Sequence, residues 1–303
     1  MRRALVTGAG GFVGGHLCAR LVADGWQVWG TVRPGAAAPA GVHPLPLDLT
    51  DAVLLTDPAL LADAVRAAAP DVAFHLAAAR AKGSAADRTA TAGVNALSGL
   101  HLVEALPASC CAVLRLGSST EYAEVDGPMD EDAPLQPRGF FGATKAAGSL
   151  LLAAAAAERG IRSTVLRAFQ VYGPGDQPGR LVPTVLRAAR SGEVLALTGP
   201  GQRRDWVHVD DVVEVCLRAA LAHDLPTGQV LNIGTGVQTA NEELVALAAE
   251  VTGRPIRTAV GAHPGRSWDA ASWVCDPSRA RALLGWEPVV DLRTGLARTW
   301  AAS

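Results

Sequence analysis

The chain has 303 residues, of which 49% are hydrophobic and only 5% aromatic, and its formal net charge is −2. That length is enough to bury a full core and admits one large domain or two coupled ones. The near-balanced charge excludes a broad cationic face for nucleic acid but leaves room for local basic clusters that hold a small anion.

The N-terminus runs from Met1-Arg2-Arg3 straight into a strand-like segment, with no secretory signal pattern. In chain order, short apolar runs predict strands at Arg3–Thr7, Gln27–Val32, Val42–Pro46, 72–76, 112–117 and 163–168. Longer stretches between them predict helices at 12–24, 57–68, 85–106 and 141–159. This alternation implies right-handed crossovers and an α/β fold, a doubly wound parallel Rossmann sheet. Beyond Gly173-Pro174-Gly175 the regularity breaks. Helices are predicted at Leu181–Ser191, from Asp210 or Asp211 onward, and at 241–251, with a further strand at Gln229–Ile233. Leu284-Gly285-Trp286-Glu287-Pro288 reads as a helix stop followed by an extended piece. The predicted organisation is a dinucleotide-binding domain from 1–172 plus 206–237 and a smaller C-terminal substrate-binding lobe from 173–205 plus 238–303.

The five cysteines, Cys18, Cys110, Cys111, Cys216 and Cys275, include no CxxC pair. They read as reduced core thiols of a cytoplasmic protein with no metal site. The alanine-rich run from Leu150 to Ala157 is too short to span a membrane and ends at Glu158-Arg159. Lys82 and Lys145 are the only lysines in an arginine-rich chain.

The first motif is Val6-Thr7-Gly8-Ala9-Gly10-Gly11-Phe12-Val13-Gly14, between a predicted strand and a predicted helix. Gly8, Gly11 and Gly14 stand at GxxGxxG spacing. The early glycines allow a tight turn and close approach of a pyrophosphate, and the last lets the helix pack on the strand. The helix N-terminus then turns free N–H groups toward the phosphates. An ordinary tight turn would use the same residues, but strand, helix and position all agree with a dinucleotide loop. The second strand ends Thr31-Val32-Arg33, without the acid that accepts ribose hydroxyls. Arg33 is placed to hold a 2′-phosphate, which favours NADP(H) and leaves NAD(H) open; a solvated strand-end arginine is the plainer alternative. Asp48, in Leu47-Asp48-Leu49, is a candidate adenine contact or a turn cap.

With these motifs the chain resembles the extended short-chain dehydrogenase/reductase family, in its nucleotide-sugar epimerase, dehydratase and 4-ketoreductase group. The resemblance runs almost end to end. It rests on the glycine loop, on Pro70-Asp71-Val72 through His75-Leu76-Ala77-Ala78, on Asn95, and on Gly117-Ser118-Ser119-Thr120-Glu121-Tyr122. It continues with Gly142-Ala143-Thr144-Lys145, Arg167 through Gly175, Arg204 through Asp211, Asn232 through Gly236, and Leu284-Gly285-Trp286. The Val28-to-Arg33 strand and the Gly-Ser-Ser-x-Glu-Tyr pattern are most similar to GDP-sugar dehydratases and 4-keto-6-deoxysugar reductases.

The resemblance implies a cofactor site of Gly8, Gly11, Phe12, Val13, Gly14, Arg33, Asp48, Leu49, Leu76, Ala77, Ala78, Lys145, Ala168 and Val171. It implies a nucleotide-sugar site that includes Arg80, Gln170, Leu181, Arg204 and Arg266. Gln170 departs from the family's usual Asn. Arg180 reads as a surface residue, and Trp206 and His208 as packing residues. The family uses a tyrosine four residues before the lysine as proton carrier, on one helix face with it. The lysine lowers the phenol pKa and holds the nicotinamide ribose, and a Ser or Thr binds the reacting sugar oxygen. Ser119 is the first candidate for that hydroxyl and Thr120 the second.

Here the tyrosine position reads Phe141. Three readings stay open: an engineered Tyr-to-Phe trapping variant, a natural enzyme with another proton carrier, or a silent protein that binds dinucleotide and sugar nucleotide. Thr120, Glu121 or a water are the substitutes considered, with Glu121 alternatively a solvated loop carboxylate. The expected activity is NADP(H)-dependent reduction of the 4-keto group of an NDP-4-keto-6-deoxyhexose; epimerisation and dehydration are the alternatives. The resemblance also implies a homodimer, paired through the helices near 85–106 and 141–159.

Overall fold

The computed structural model describes residues 1–50, 59–81, 83–264 and 272–303. Seven strands form one sheet: β1 (Arg3–Thr7), β2 (Gln27–Val32), β3 (Val42–Pro46), β4 (Val72–His75), β5 (Ala112–Ser118), β6 (Arg162–Ala168) and β10 (Gln229–Ile233). Their order is β3-β2-β1-β4-β5-β6-β10. The pairs β1–β2, β1–β4, β2–β3 and β4–β5 are parallel. The winding reverses between β1 and β4, the switch point at which doubly wound sheets bind dinucleotides. The central strands do not alternate in polarity because both faces are covered. Leu5, Ala73, Phe74, Val113 and Leu166 are all fully buried.

Helices α1 (Phe12–Ala23), α2 (Ala59–Ala68), α3 (Ala85–Ala92), α4 (Ser98–Ala105) and α5 (Phe140–Glu158) belong to this part of the chain. Val65, Leu102, Val103, Leu106, Leu152 and Ala156 join Leu5, Ala73 and Val113 in one core cluster. The helix expected over 85–106 is not continuous: a π-helical turn, Gly93–Leu97, separates α3 from α4. The side chain of Asn95 explains the interruption. Its Oδ1 accepts from Ala79 N and its Nδ2 donates to Ala79 O, both at 2.9 Å. Widened single turns of this kind recur at functional sites. The helix expected from 57 is described only from Ala59.

The alanine run Leu150–Ala157 is part of the longer helix α5. Over its 19 residues it is long and apolar enough to cross a membrane by length and composition. One side, with Lys145, Gly148, Ser149, Leu152 and Ala156, is buried within the domain. Cys111 is also corrected: it is exposed, while the other four cysteines are buried. Its thiol turns out at the entry to β5 and donates to Asp71 O.

Compact packing divides the chain into Met1–Ala123, Pro134–Arg167 and Val213–Leu231 on the one hand, and Glu124–Ala133, Ala168–Val212 and Asn232–Ser303 on the other. The expected boundaries at 172, 205 and 237 are therefore shifted. Residues Gln170–Tyr172 form β7, which pairs with β9 (Arg203–His208), and β9 pairs in turn with β11 (Gln238–Ala240). Residues 124–133 join this second unit because Asn232 N donates to Glu131 and Asn232 Nδ2 donates to Met129 O.

The second unit packs α6 (Leu181–Ser191), α8 (Asn241–Thr252) and α10 (Leu292–Ala301) around Tyr172, Val185, Trp206, Leu244 and Leu296. Asp205 is its main polar anchor. The carboxylate accepts from Thr235 N and Oγ1, Gly236 N and Cys275 N, which ties together the Arg204-to-Asp211 and Asn232-to-Gly236 motifs. Asp210 and Asp211 fall in the first turn of the helix Val209–Leu221, as expected, and Asp211 has a second role. It accepts from Val289 N and Val290 N, while its backbone carbonyl takes the Trp286 indole N–H. The predicted stop at Gly285 is a left-handed residue, φ +57°, that closes α9 (Ser278–Leu284).

Candidate active site

The glycine loop leaves β1 and meets the end of β4. Gly8 has φ +74°, and a Cβ there would lie 2.9 Å from the Ala77 backbone. A Cβ on Gly14 would lie 2.1 Å from Gly8 O, so only glycine lets α1 start this close to the loop. Gly11 caps α1 without a side-chain hydrogen bond, and no acid occupies the first turn of Phe12, Val13 and Gly14. This end of the helix keeps its positive character for an anion. Thr31 steadies the loop, its Oγ1 accepting from Gly8 N at 3.0 Å. Arg33 is exposed just beyond β2. Asp48 accepts from both N and Oγ1 of Thr50, the turn-capping role, and this together with the charge of Arg33 lowers its pKa. Leu49 is buried.

A polar chain runs inward from β1. Ala77 N donates to Thr7 Oγ1, Thr7 Oγ1 lies 2.8 Å from His75 Nδ1, and His75 Nε2 lies 3.2 Å from Ser98 Oγ, which donates to Val94 O. These partners fit a neutral imidazole with its proton on Nε2. Burial, then the charges of Arg115 and Lys145, push the His75 pKa well below its ordinary value.

At the end of β5 the chain makes a single 3-10 turn, Ser119–Glu121, capped by Ser118. Ser118 Oγ and Thr120 Oγ1 are 2.8 Å apart, and Ser119 is buried. Helix α5 starts against this turn, because a Cβ on Gly142 would fall 2.1 Å from Thr120 O. Phe141 and Lys145, one helical turn apart, are thereby brought to the Ser119–Glu121 turn. Lys145 is fully enclosed and donates from Nζ to Leu116 O at 2.5 Å. Burial pushes its pKa down to about 7, assisted by Arg115 and Arg80 and opposed by Glu121. The guanidinium of Arg80 lies over the Phe141 ring, 3.8 Å from its centre. Asn95 Nδ2 donates to Thr144 Oγ1, joining the π-helical turn to α5.

Glu121 is not a solvated carboxylate. It is fully buried, with Oε1 accepting from Ser118 N and Ser149 Oγ, and Oε2 accepting from Arg167 Nε at 2.9 Å. Arg167 also covers the Tyr122 ring. Sequence reading passed over Arg115, which is fully buried in β5 and donates from Nη2 to Asn95 O and Lys145 O. A charged residue inside the apolar run Ala112-Val113-Leu114-Arg115-Leu116 was the available signal. Thr31 and Ser118 were missed as well, each a hydroxyl at a strand's C-terminal end.

The remaining positions belong to the second unit, beginning with Ala168, which closes β6 and is buried. Val171 and Gln170 lie on β7, paired with Val207 and Trp206. Leu181 begins α6, and Arg204 lies on β9, donating to Arg203 O at 2.7 Å. Arg180 reaches Asp176 at 3.5 Å and donates to Val171 O, so it is more than a surface residue. Trp206 and His208 stack edge-on against buried Tyr172, the packing role expected of them. Arg266 lies outside the described residues. Among the described residues no cluster of His, Cys, Asp and Glu side chains is arranged to hold a metal.

Residues 4–234 match the family described as "NAD dependent epimerase/dehydratase family". The chain belongs to this family. Among its relatives, a UDP-glucose 4-epimerase from Mycolicibacterium smegmatis is 33% identical, over 98% of this chain and 97% of its own length. A dTDP-6-deoxy-L-talose 4-dehydrogenase (NAD(P)(+)) from Kitasatospora kifunensis is 31% identical, over 99% and 95%. The solved structure of MoeE5 in complex with UDP-glucose and NAD superposes with TM-score 0.87 at 33% identity, covering 99% of this chain and 97% of that one.

The burial of Glu121 generates a stability test. Glu121→Ala leaves Arg167 buried without its partner and is expected to lower unfolding free energy by about 3–5 kcal/mol. Thr120→Ala, at a partly exposed hydroxyl, is expected to cost less than about 1 kcal/mol. Urea denaturation of the three proteins measures both, and equal small losses would refute a structural role for the Glu121–Arg167 pair.

Proposed function

We propose that this chain is an NADP(H)-using nucleotide-sugar oxidoreductase that reduces the 4-keto group of an NDP-4-keto-6-deoxyhexose to an alcohol. The observation that carries the reading is the cationic surrounding of Phe141: Lys145 one turn away and Arg80 on the ring face. Reduction of a ketone builds negative charge on oxygen, which cations stabilise. Epimerisation and dehydration would instead begin by removing a proton, and Glu121, the carboxylate at this turn, is held by Arg167 and is not free to take one. Similarity to a 4-dehydrogenase of a deoxysugar nucleotide supports the substrate class.

The residues fit a dinucleotide. The Gly8–Gly14 loop and the uncapped start of α1 suit its pyrophosphate, and Thr31 holds that loop in place. Arg33 would take the 2′-phosphate, with Asp48 and Leu49 toward the adenine. Lys145, Ala77, Ala78, Ala168 and Val171 would serve the nicotinamide end. When bound, the dinucleotide supplies the hydride. Ser119, with Thr120 second, would hold the reacting sugar oxygen; Arg80 would bind the sugar. Gln170, Leu181, Arg204 and Arg266 would bind the nucleotide diphosphate.

A homodimer is part of the same proposal. Ala143, Leu150, Leu151 and Ala154 share an exposed stripe of α5, with Leu150 59% exposed. The spacing of i, i+7, i+8 and i+11 puts them on one helix face, and an apolar stripe of this kind suits a second copy. Light scattering at micromolar concentration is expected to give twice the chain mass, and Leu150→Glu the single mass. A monomer in the unmutated protein would reject the dimer.

The cofactor reading predicts tighter binding of NADPH than of NADH by calorimetry. Arg33→Ala is expected to weaken NADPH roughly tenfold or more while leaving NADH nearly unchanged, since one charge-assisted contact is lost. An unaltered preference would remove Arg33 from the site.

The activity is tested by NADPH oxidation with UDP-, dTDP- and GDP-linked 4-keto-6-deoxyhexoses, beside a 4-epimerisation assay on UDP-glucose. Reduction of at least one 4-keto substrate, and a faster rate in Phe141→Tyr with unchanged substrate affinity, are expected. Epimerisation without net NADPH oxidation would overturn the reductase reading, and binding without turnover would mark a silent binder.

A further inference from the structure

We propose that Lys145 is itself the proton carrier of this enzyme, giving its ammonium proton to the substrate oxygen in place of a tyrosine hydroxyl at position 141. The proposal rests on the oxidoreductase reading above and goes beyond it by naming the donor.

Elimination is the first support. Both Glu121 oxygens are occupied inside the protein, by Ser118 N, Ser149 Oγ and Arg167 Nε. His75 is held between Thr7 and Ser98 beneath the glycine loop. Tyr122 is buried under Arg167. Thr120 pairs with Ser118, and an alcohol holds its proton too tightly to serve as an acid at neutral pH. Arg80 stacks on Phe141, but a guanidinium does not release a proton in this range. Among the described side chains Lys145 remains, on the same helix face as position 141, and the kinetic test below separates it from a water.

Its surroundings suit the task. The Lys145 ammonium has three N–H groups and donates one to Leu116 O, which leaves two for a ligand. The groups that face it come from every neighbouring element. Arg115 comes from β5, Arg80 from the loop after β4, His75 from β4, and Glu121 from the 3-10 turn. Two arginine cations act against one carboxylate, and the carboxylate is drawn off by Arg167. Burial and this excess of positive charge bring the lysine down to about 7, where an acid both holds and releases its proton.

In the step, the substrate carbonyl carbon accepts the hydride and its oxygen accepts the proton from Lys145 Nζ. The N–H bond breaks with its electron pair left on nitrogen, and an O–H bond forms. The neutral amine must regain a proton before the next turnover, so ketone, reduced dinucleotide and one proton become alcohol and oxidised dinucleotide. Reduction therefore requires the protonated lysine. Its rate falls as pH rises through the lysine midpoint, and the reverse oxidation rises through it.

The sequence makes the test direct, because Lys82 and Lys145 are the only lysines. Carbon-13 lysine labelling gives two side-chain signals, and Lys82→Arg assigns them. Lys145 is expected to titrate near 7 in the unmutated protein and higher in Arg80→Gln. A midpoint near the ordinary lysine value, about 10, would overturn the proposal without any substrate. The kinetic arm uses Lys145→Arg, which keeps the cation but cannot give up the proton. In the Phe141 protein it is expected to lower kcat roughly 10²–10⁴-fold and to abolish the alkaline fall in rate. In the Phe141→Tyr protein the same change is expected to cost far less, since the phenol supplies the proton. Equal losses in both backgrounds would reject Lys145 as donor and leave the oxidoreductase reading intact. Absence of turnover in all four proteins would reject both.

Discussion

A methyl group at position 142 would fall 2.1 Å from the Thr120 carbonyl oxygen, and one at position 148 would fall 2.0 Å from that of Asn95. The rest of the candidate site depends on these two close approaches. They let α5 lie flush against the end of β5 and the π-helical turn, with no side chain between backbone and backbone. Lys145 stands between the two glycines, so its ammonium is delivered to the strand end and shut away from solvent. A bulkier helix face would hold it out in water, where it would behave as an ordinary surface lysine.

Shutting it away has an electrostatic consequence. Arg115, Arg167 and Lys145 are all buried near a single buried carboxylate, Glu121. Arg167 makes the direct ion pair, and Arg115 has Nε and Nη1 without partners among the described residues. Burying a cation without a partner is expensive, and the group that can relieve the cost by losing its proton is the one that does so. Arginine holds its proton too strongly, although burial brings even Arg115 down to about 10. The strain therefore falls on Lys145. The same arrangement accounts for the neutral state of His75.

Membership in the epimerase/dehydratase family sets the chemistry within which this charge pattern operates. Its members share the fold while their reactions differ, so the fold alone does not select among them. The local features on which its chemistry would turn are an aromatic ring without a hydroxyl at position 141, a guanidinium on that ring, and an enclosed lysine one helical turn away.

The order of strands and helices was legible because both faces of the inner parallel strands are buried, and short apolar runs such as Ala4-Leu5-Val6 and Val72-Ala73-Phe74 record that burial directly. Arg3–Thr7, Gln27–Val32, Val42–Pro46 and Gln229–Ile233 lie where the sequence placed them. The glycine loop was legible for a similar reason: close backbone contact admits no side chain, so it leaves its mark in residue type. The unit boundaries were not legible, since the pairing of β7 with β9 is a contact between segments some thirty residues apart, about which local composition is silent. Nor was the fate of Glu121. A carboxylate after a strand looks the same whether it meets water or Arg167, and the choice is made only when β5, β6 and α5 come together. By itself the sequence determined the order of strands and helices and the family to which the chain belongs, with candidate residues named along it. Tertiary structure alone decided their charge states, because desolvation and distance between charges exist only once the chain has packed.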